Sequence, residues 1–196
     1  ANLSGANLSG ANLANANLGG ANLSGANLVG VNLSGAQGLG KAILDRANLT
    51  GVKLTSMNLA GVNLTDANLT GANLTNAKLQ GARLKGAVLT NANLSGAHME
   101  PAAGDARTDL SFAHLQGAVL TVAHMQRIYL NQADLTNANL QGAVITMANI
   151  AYGQWSGANL RGANLTGSGG IGSGIDKATT DKTTTCTNGM PGPCTY

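Results

Sequence analysis

A leucine or another large apolar residue recurs every five residues along most of this 196-residue chain. The repeat starts with ANLSG at residues 1–5 and is interrupted twice, once after Leu33 and once after Met99. A period of five fits neither the helical period of about 3.6 residues nor the strand period of about two. A square coil fits it, because four units then return the chain to a point above its start. The spacing therefore predicts a repeating coil with the large residue of each unit inside.

Each unit also carries a small residue, usually alanine, two positions before the large one, and we expect both to point inward. The remaining positions carry Asn, Gly, Ser and Thr, which suit tight turns. Trp155 replaces a leucine, and its small partner is Gly153 instead of alanine, so the two volumes compensate. Larger partners should swell the coil at Val52, Met57, Val62 and Ile128. Counting four units per turn, with one extra residue at each interruption, predicts one face with the buried centres Leu54, Leu74, Leu94, Leu115, Leu135 and Trp155.

The units ANLSG, ANLTG and ANLQG resemble the A(D/N)LXX units of the pentapeptide-repeat family, and the resemblance covers residues 1–167. It implies an all-β fold, namely a right-handed quadrilateral parallel β-helix of about eight coils at strand spacing. Residues 168–196 lack the repeat and form a Gly- and Thr-rich C-terminal tail. We expect the stretch GSGGIGSG at 167–174 to be a flexible exit from the solenoid.

Residues 35–42, GAQGLGKA, are close to the phosphate-binding pattern G-x-x-x-x-G-K-[S/T], with Gly35, Gly40 and Lys41 in place and Ala42 where a hydroxyl belongs. A phosphate loop opens a helix whose N–H groups meet the phosphate. Here the five-residue repeat resumes within one unit. The sequence therefore favours a bulge at the first interruption, with Leu39 as an inward centre, over a nucleotide site.

No catalytic, cofactor or metal site is predicted. His98, His114 and His124 precede centres that the count places on three different faces, so their side chains should diverge and not share an ion. A nucleophile needs a neighbouring base and a pocket, and a filled solenoid offers neither. We therefore expect a protein that is not an enzyme and has no cofactor.

The outer surface offers two weaker candidates for binding. Lys53, Lys78, Arg83 and Lys85 suggest a modest basic patch for an acidic partner, although a solubilising surface explains them more simply. Hydroxyl ladders could present a lattice to ice or carbohydrate, although threonine also simply suits an outward β position. These ladders comprise Thr50, Thr70 and Thr90 on one face and Thr55, Thr75 and Ser95 on the next.

The tail contains the only cysteines, Cys186 and Cys194, eight residues apart around a turn-rich loop. This spacing indicates a small disulfide, the alternative being two free thiols in a disordered tail. The tail also resembles the cysteine-bearing endings of secreted bacterial pentapeptide-repeat proteins. A disulfide implies an oxidising compartment, and the ten N-L-[S/T] sequons argue against a eukaryotic secretory pathway. We therefore expect an extracytoplasmic protein (secreted, periplasmic or in a thylakoid lumen) of bacterial or plastid origin, without a membrane span.

The resemblance implies one specific function, and the residues themselves suggest two others. Acidic members of the family mimic DNA and bind gyrase, but here the net charge is +3 and Asp precedes a centre only at Asp109 and Asp134. Gyrase modulation is therefore disfavoured, and nucleic acid is not an expected partner. The leading hypothesis is a non-catalytic exported scaffold with an unknown protein partner. The alternative is self-assembly, as an end-to-end dimer or fibre, through a first coil that shows no cap.

Overall fold

The computed structural model describes residues 1–172 and 174–194. In these residues the backbone forms stacked coils in which single residues pair as parallel β-bridges. Asn2 pairs with Asn22 and Asn7 with Asn27, each partner lying four repeat units further along the chain. Four such residues occur in each coil, so the molecule is a four-sided parallel β-helix. Its helical elements are three short 3-10 turns, Leu39–Lys41, Ala103–Asp105 and Ile175–Lys177, within the described ranges.

The pairing residues define four faces, numbered in chain order. Face 1 contains Asn2, Asn22, Ile43, Asn63, Arg83, Asp109, Tyr129, Asn149 and Gly169. Face 2 contains Asn7, Asn27, Asn48, Asn68, Val88, His114, Asp134 and Gln154. Face 3 contains Asn12 and Asn32, followed by Lys53, Asn73, Asn93, Val119, Asn139, Asn159 and Thr179. Face 4 contains Asn17 and Gln37, followed by Asn58, Lys78, His98, His124, Val144, Asn164 and Thr185.

The first unit shows why five residues suffice for one side. The Leu3 N–H donates to the Asn22 carbonyl in the next coil at 2.7 Å, and the Ala6 N–H donates to the Leu3 carbonyl at 3.0 Å, which closes the turn. The Asn2 side-chain oxygen accepts the Ser4 N–H at 3.2 Å. Gly5 completes the turn at φ 67°, in the left-handed region that glycine and asparagine tolerate. This geometry explains the preference for Asn before the centre and for Gly or Asn at the corner.

The interior is filled by the two inward residues of each unit. The six predicted centres, from Leu54 to Trp155, are all 2% exposed or less. They do not form one column, however, because the ladders place Leu54, Leu74 and Leu94 behind face 3 and the other three behind face 2. Among the leucines near the first interruption the packing leaves an apolar void of only about 10 Å³.

The first interruption is a bulge, as GAQGLGKA suggested. Gly38 adopts φ 75° and precedes the turn Leu39–Lys41, and Leu39 is buried as an inward centre. Gly40 packs against the backbone of Ala60 so closely that a Cβ would lie 2.4 Å from the Ala60 carbonyl oxygen. Both glycines are therefore required by the path of the chain, and no helix follows that could receive a phosphate.

A seam opens on faces 3 and 4 directly after this bulge. In this fully described part of the chain, no bridge joins Asn32 to Lys53 or Gln37 to Asn58. Two surface clefts of about 320 and 360 Å³ lie along the seam. The seam coincides with Val52 and Met57, two of the positions where larger side chains were expected to swell the coil.

At the second interruption, more residues lie outside the ladder than the single extra residue that the count of repeat units predicted. Arg83 pairs with Asp109 and His98 with His124, and each of these steps is six residues longer than four regular units. The expectation of a single extra residue was wrong here, because the irregular unit forms no side of the coil. Residues 100–108 carry no large apolar side chain that could fill the interior, and they leave the coil as a loop around Ala103–Asp105. Every residue after this loop is therefore one face away from its expected position.

Thr108 anchors the loop where it rejoins the coil. Its side chain is 0% exposed, and its Oγ1 lies 2.8 Å from both the Leu79 and the Met99 carbonyl oxygens. The same oxygen accepts the Gly81 N–H at 3.1 Å. One hydroxyl thus satisfies backbone groups from two coils that the loop has separated.

The described part of the tail packs on the last coil, so the expected flexible exit is wrong there. Gly169, Thr179 and Thr185 continue the ladders of faces 1, 3 and 4, and Ile175 is buried. The predicted boundary at residue 167 therefore marks a change in composition and not the end of the stacking. Ser173 and residues 195–196, which belong to the same predicted tail, lie outside the described residues.

The tail contains the predicted disulfide between Cys186 and Cys194, with their Cα atoms 5.5 Å apart. The loop that it closes is attached to the coil by the Cys194 N–H, which donates to Thr180 Oγ1 at 3.0 Å. The structure thus selects the disulfide over the free thiols. None of the described helical turns is long and apolar enough to cross a bilayer.

Candidate interaction surface

Three exposed aromatic side chains lie on one side of the solenoid. Phe112 and Tyr152 occupy the corner between faces 1 and 2, and Tyr129 lies on face 1. Their exposed fractions are 42%, 58% and 37% respectively. Since Trp155 is buried, every exposed aromatic ring of the described residues belongs to this side. We define the aromatic surface as Phe112, Tyr129 and Tyr152 together with Lys85 and Arg107.

The ladders bring these residues together from units far apart in sequence. At the corner, the Phe112 N–H donates to the Asn131 carbonyl at 3.0 Å, and the Gln132 N–H donates to the Ala151 carbonyl at 2.8 Å. Phe112 and Tyr152 are consequently two coils apart, which at strand spacing is about 10 Å. Two aromatic rings at that spacing can contact the same partner surface.

The backbone at the two corner rings is unfavourable for such side chains. Phe112 has φ 62° and Tyr152 has φ 56°, and the same corner carries Gly5, Gly25 and Gly86 but also Arg46, Asp66 and Gln132. A left-handed conformation costs a non-glycine residue about 1–2 kcal/mol. Neither ring gains much burial in return. Left-handed corners without glycine recur along the solenoid, so what distinguishes these two positions is the large exposed ring and not the backbone conformation.

Cations lie over two of the rings. Lys85 Nζ is 5.3 Å from the centroid of the Phe112 ring, and Arg107 Cζ is 5.7 Å from that of Tyr129. Arg107 also contacts Asp105 at 3.4 Å, and Asp105 pairs with Arg127 at 2.9 Å. These ion pairs hold the inserted loop against face 1, so the loop contributes directly to the aromatic surface.

The predicted basic patch is not brought together. Lys53 lies on face 3, Lys78 on face 4 and Arg83 on face 1, while Lys85 lies on the corner beside Phe112. Only Arg83 and Lys85 are near one another; Lys85 belongs to the aromatic surface and Arg83 borders it. The patch as a set of four residues therefore does not present one binding surface.

The predicted threonine ladders form, but five of their six hydroxyl donors are already used. The Gly51 N–H donates to the Thr70 carbonyl and the Gly71 N–H to the Thr90 carbonyl, which stacks the three threonines. The Thr50 and Thr70 hydroxyls each donate to the asparagine two residues before, at 2.7 Å. Because these donors are satisfied within the unit, the ladders offer ice or carbohydrate little beyond acceptors.

The histidines are not distributed as expected. His98 and His124 both lie on face 4, and their rings stack with centroids 4.8 Å apart and planes 5° apart. His114 lies alone on face 2, below Asp134. Partial burial acts to raise the pKa of Asp134, but hydrogen bonds from Thr136 and Gln116, helped by His114, hold it below its ordinary value. The prediction of three separate faces was wrong because it allowed only one extra residue at the second interruption.

No group of three His, Cys, Asp or Glu side chains among the described residues has the geometry to hold a metal ion. The aromatic surface does not follow from the spacing of the repeat. A signal was present in the units LSFAH and IAYGQ, where an aromatic residue occupies the corner position that normally carries Gly or Asn.

Comparison with protein families identifies the repeat. A family model described as pentapeptide repeats matches in eight copies over residues 1–36, 42–81, 67–100 and 106–142. The chain belongs to the pentapeptide-repeat family. Pentapeptide-repeat proteins form right-handed β-helices, in agreement with the four ladders described above. Within residues 1–142 the matches leave out 37–41 and 101–105, where the two interruptions of the pentapeptide repeat lie, and they do not extend beyond residue 142.

Solved pentapeptide-repeat structures are similar over most of the chain. HetL, a protein involved in heterocyst differentiation regulation in the cyanobacterium Nostoc sp. strain PCC 7120, is 30% identical, with 97% of this chain and 91% of HetL covered and a TM-score of 0.40. Rfr23 of the cyanobacterium Cyanothece 51142 is 30% identical over 70% of this chain and 86% of its own, with a TM-score of 0.29. QnrB1, a plasmid-mediated fluoroquinolone resistance protein, is 19% identical over 92% and 89%, with a TM-score of 0.41. A search of curated protein sequences gave no match.

Proposed function

We propose that this protein is a non-catalytic, exported interaction scaffold, a rod of about eight coils at strand spacing. It binds a partner protein through the aromatic surface. The observation that carries the proposal is the position of Phe112, Tyr129 and Tyr152, the exposed aromatic rings of the described residues, on one side of the solenoid. Large aromatic residues and arginine dominate the binding energy of protein interfaces.

The charge around the rings supports a partner that presents acidic side chains. Four basic residues and two acidic ones surround the rings, which leaves an excess of two positive charges: Arg83, Lys85, Arg107, Arg127, Asp105 and Asp109. A partner carboxylate that approaches Phe112 or Tyr129 would meet Lys85 or Arg107 there. Complementary charge of this kind favours encounter and fixes orientation.

The disulfide between Cys186 and Cys194 supports export. Disulfides persist in oxidising compartments and are rare in a reducing cytosol. A scaffold in the periplasm, in a thylakoid lumen or outside the cell would keep this bond. Self-assembly into end-to-end dimers or fibres stays the alternative, and sedimentation at rising protein concentration separates it from binding of a different protein.

Replacement of the three rings should abolish partner binding. In the variant F112N/Y129N/Y152N, asparagine tolerates the left-handed corner, so the fold is retained while the contact area is lost. Affinity capture from extracts of the source organism, followed by titration of the purified partner, should show binding weakened by at least about 100-fold, since each such side chain is worth roughly 1–2 kcal/mol or more.

The matched control is V122N, which replaces a side chain that is 58% exposed on the corner between faces 3 and 4, away from the aromatic surface. The Val122 corner has φ 49°, so the control relieves the same kind of strain. It should bind as the unmodified protein does. Equal binding by both variants would refute the proposed surface, and turnover of a substrate that a point substitution abolishes would refute the non-catalytic role.

A further inference from the structure

The inserted loop creates a pair of histidines that the repeat alone would have kept apart. The longer step across the loop places His124 directly above His98 on face 4. Their rings are parallel within 5°, and the ring centroids are 4.8 Å apart. The His98 side chain is 40% exposed, and His124 is half-buried. One edge of the pair is thus open to solvent while the backbone at both residues is fixed by the ladder.

The surroundings of His98 favour one tautomer. His98 Nδ1 lies 3.4 Å from Glu100 Oε1. The Gln80 amide donates to the same carboxylate oxygen at 2.9 Å, which holds Glu100 in place. A carboxylate beside Nδ1 favours the proton there and leaves the Nε2 lone pair free. Carboxylates paired in this way with the far nitrogen of a histidine orient the ring and raise its basicity as a metal ligand.

A second observation concerns two acceptor oxygens close in sequence to the pair. Glu100 Oε2 and the Gln126 side-chain oxygen are both enclosed and have no hydrogen-bond partner. Gln126 follows His124 by two residues, as Glu100 follows His98. Two acceptor oxygens without donors, on the side of the histidine pair, are suited to a cation or to water bound to one.

We propose that His98 and His124 form a two-imidazole chelate for a borderline divalent transition metal, with Cu²⁺ preferred over Ni²⁺ and Zn²⁺. Metal–imidazole bonds are about 2.0–2.1 Å long, so the two Nε2 atoms must approach to roughly 3 Å with their lone pairs converging. In the stack the ring planes are nearly parallel, so binding requires both rings to rotate out of the stack about χ2. Imidazole suits Zn²⁺, Cu²⁺ and Ni²⁺, and Cu²⁺ binds most tightly of the three. The remaining coordination positions belong to water, which Glu100 and Gln126 accept hydrogen bonds from.

Neighbouring charges set limits on the affinity. Lys78 lies one coil below His98 on face 4, and its ammonium opposes a bound cation. The flexible lysine stem lets this charge move toward solvent, whereas the Glu100 carboxylate is held beside the pair by Gln80. The carboxylate charge therefore offsets the ammonium at the site, and we expect an exchangeable surface site and not a buried structural one.

The test is titration of the metal-free full-length protein with Cu²⁺, Ni²⁺ and Zn²⁺ salts in a non-coordinating buffer, followed by calorimetry. The unmodified protein should bind one equivalent of Cu²⁺, and its electron paramagnetic resonance spectrum should show coupling to two imidazole nitrogens. H98N and H124N should each bind at least about tenfold more weakly, and E100Q should lose about tenfold through the orientation of His98.

His114→Asn is the matched control, because it removes an exposed histidine from face 2 and leaves the pair intact. It should bind Cu²⁺ as the unmodified protein does. Circular dichroism and the thermal midpoint, measured without metal, confirm that each variant is folded. Binding that H98N and H124N leave unchanged, loss of binding in H114N, or a signal from one nitrogen only would overturn the proposal.

Discussion

Replacing Gly153 with alanine should destabilise the protein, and the same substitution should become favourable once Trp155 is leucine. A Cβ at position 153 would lie 2.5 Å from Trp155 Nε1 and 3.2 Å from the Ile150 carbonyl oxygen. Overpacking of this kind costs about 1–3 kcal/mol. Trp155 is fully buried, and its indole N–H has no partner.

The substitution W155L has two opposing effects on the free energy of unfolding. W155L leaves a cavity, which costs about 2–4 kcal/mol, but it also removes an unsatisfied buried donor worth about 1–3 kcal/mol. The double variant G153A/W155L restores the alanine–leucine pair of an ordinary unit and should unfold within about 1 kcal/mol of the unmodified protein. The two changes should therefore be coupled by about 2 kcal/mol or more in urea denaturation.

Gly169→Ala is the control, because nothing lies within 4 Å of its added Cβ. Its effect on the free energy of unfolding should stay within about 0.5 kcal/mol. Additive effects of G153A and W155L would mean that the two inward positions do not share one space. The packing of the coil described above would then be incorrect at its last turns.

Thr108→Val should destabilise the protein by about 2–4 kcal/mol, because it removes one buried hydroxyl bond and leaves the Gly81 N–H without its partner. Valine has nearly the shape of threonine, so packing changes little. Urea denaturation of T108V measures the loss. The control T166V alters an exposed hydroxyl that contacts only its own unit and should change stability by less than about 0.5 kcal/mol. Equal stability of the two variants would show that the inserted loop is not anchored at Thr108.

Much of the fold was predictable because the repeat itself carries the geometry. The five-residue spacing identified Leu39 as a buried centre and identified Gly153 as the small partner of Trp155, since each inward position needs a defined volume. The bulge at Gly38 was also predictable, because the repeat resumes within one unit. In these cases the information is local to one or two units.

The register after the second interruption was not predictable from spacing alone. Residues 100–108 could form one irregular side of the coil or leave it, and both options keep Leu110 in phase with the repeat. The absence of a large apolar residue around Gly104 favoured a loop, because a side without a centre leaves the interior empty. For the tail, the prediction relied on composition and overlooked a buried residue. Its glycine-rich start looked flexible, yet Ile175 supplies a buried centre that continues the stack.

The candidate site depends on contacts between coils, which the register controls. Phe112 and Tyr152 could be recognised as unusual corner residues, and Tyr129 is related to them by regular 20-residue steps. The proximity of Lys85 and Arg107 to these rings, however, depends on the position of the inserted loop. The pairing of His98 with His124 depends on the same lengthened step across the loop. An error of one face in the predicted register was therefore enough to place His98 and His124 on different faces, although they are neighbours in the structure.

Disulfide trapping across face 3 tests this register most directly. Cysteines bridge when their Cα atoms are about 4.4–6.8 Å apart, which neighbours in a parallel ladder satisfy. Asn93 pairs with Val119 across the inserted loop, so the variant N93C/V119C should form the cross-link under mild oxidation while N93C/H114C should not. Efficient cross-linking of N93C/H114C, with none in N93C/V119C, would restore the register with a single extra residue and contradict both the position of Lys85 beside Phe112 and the histidine pair.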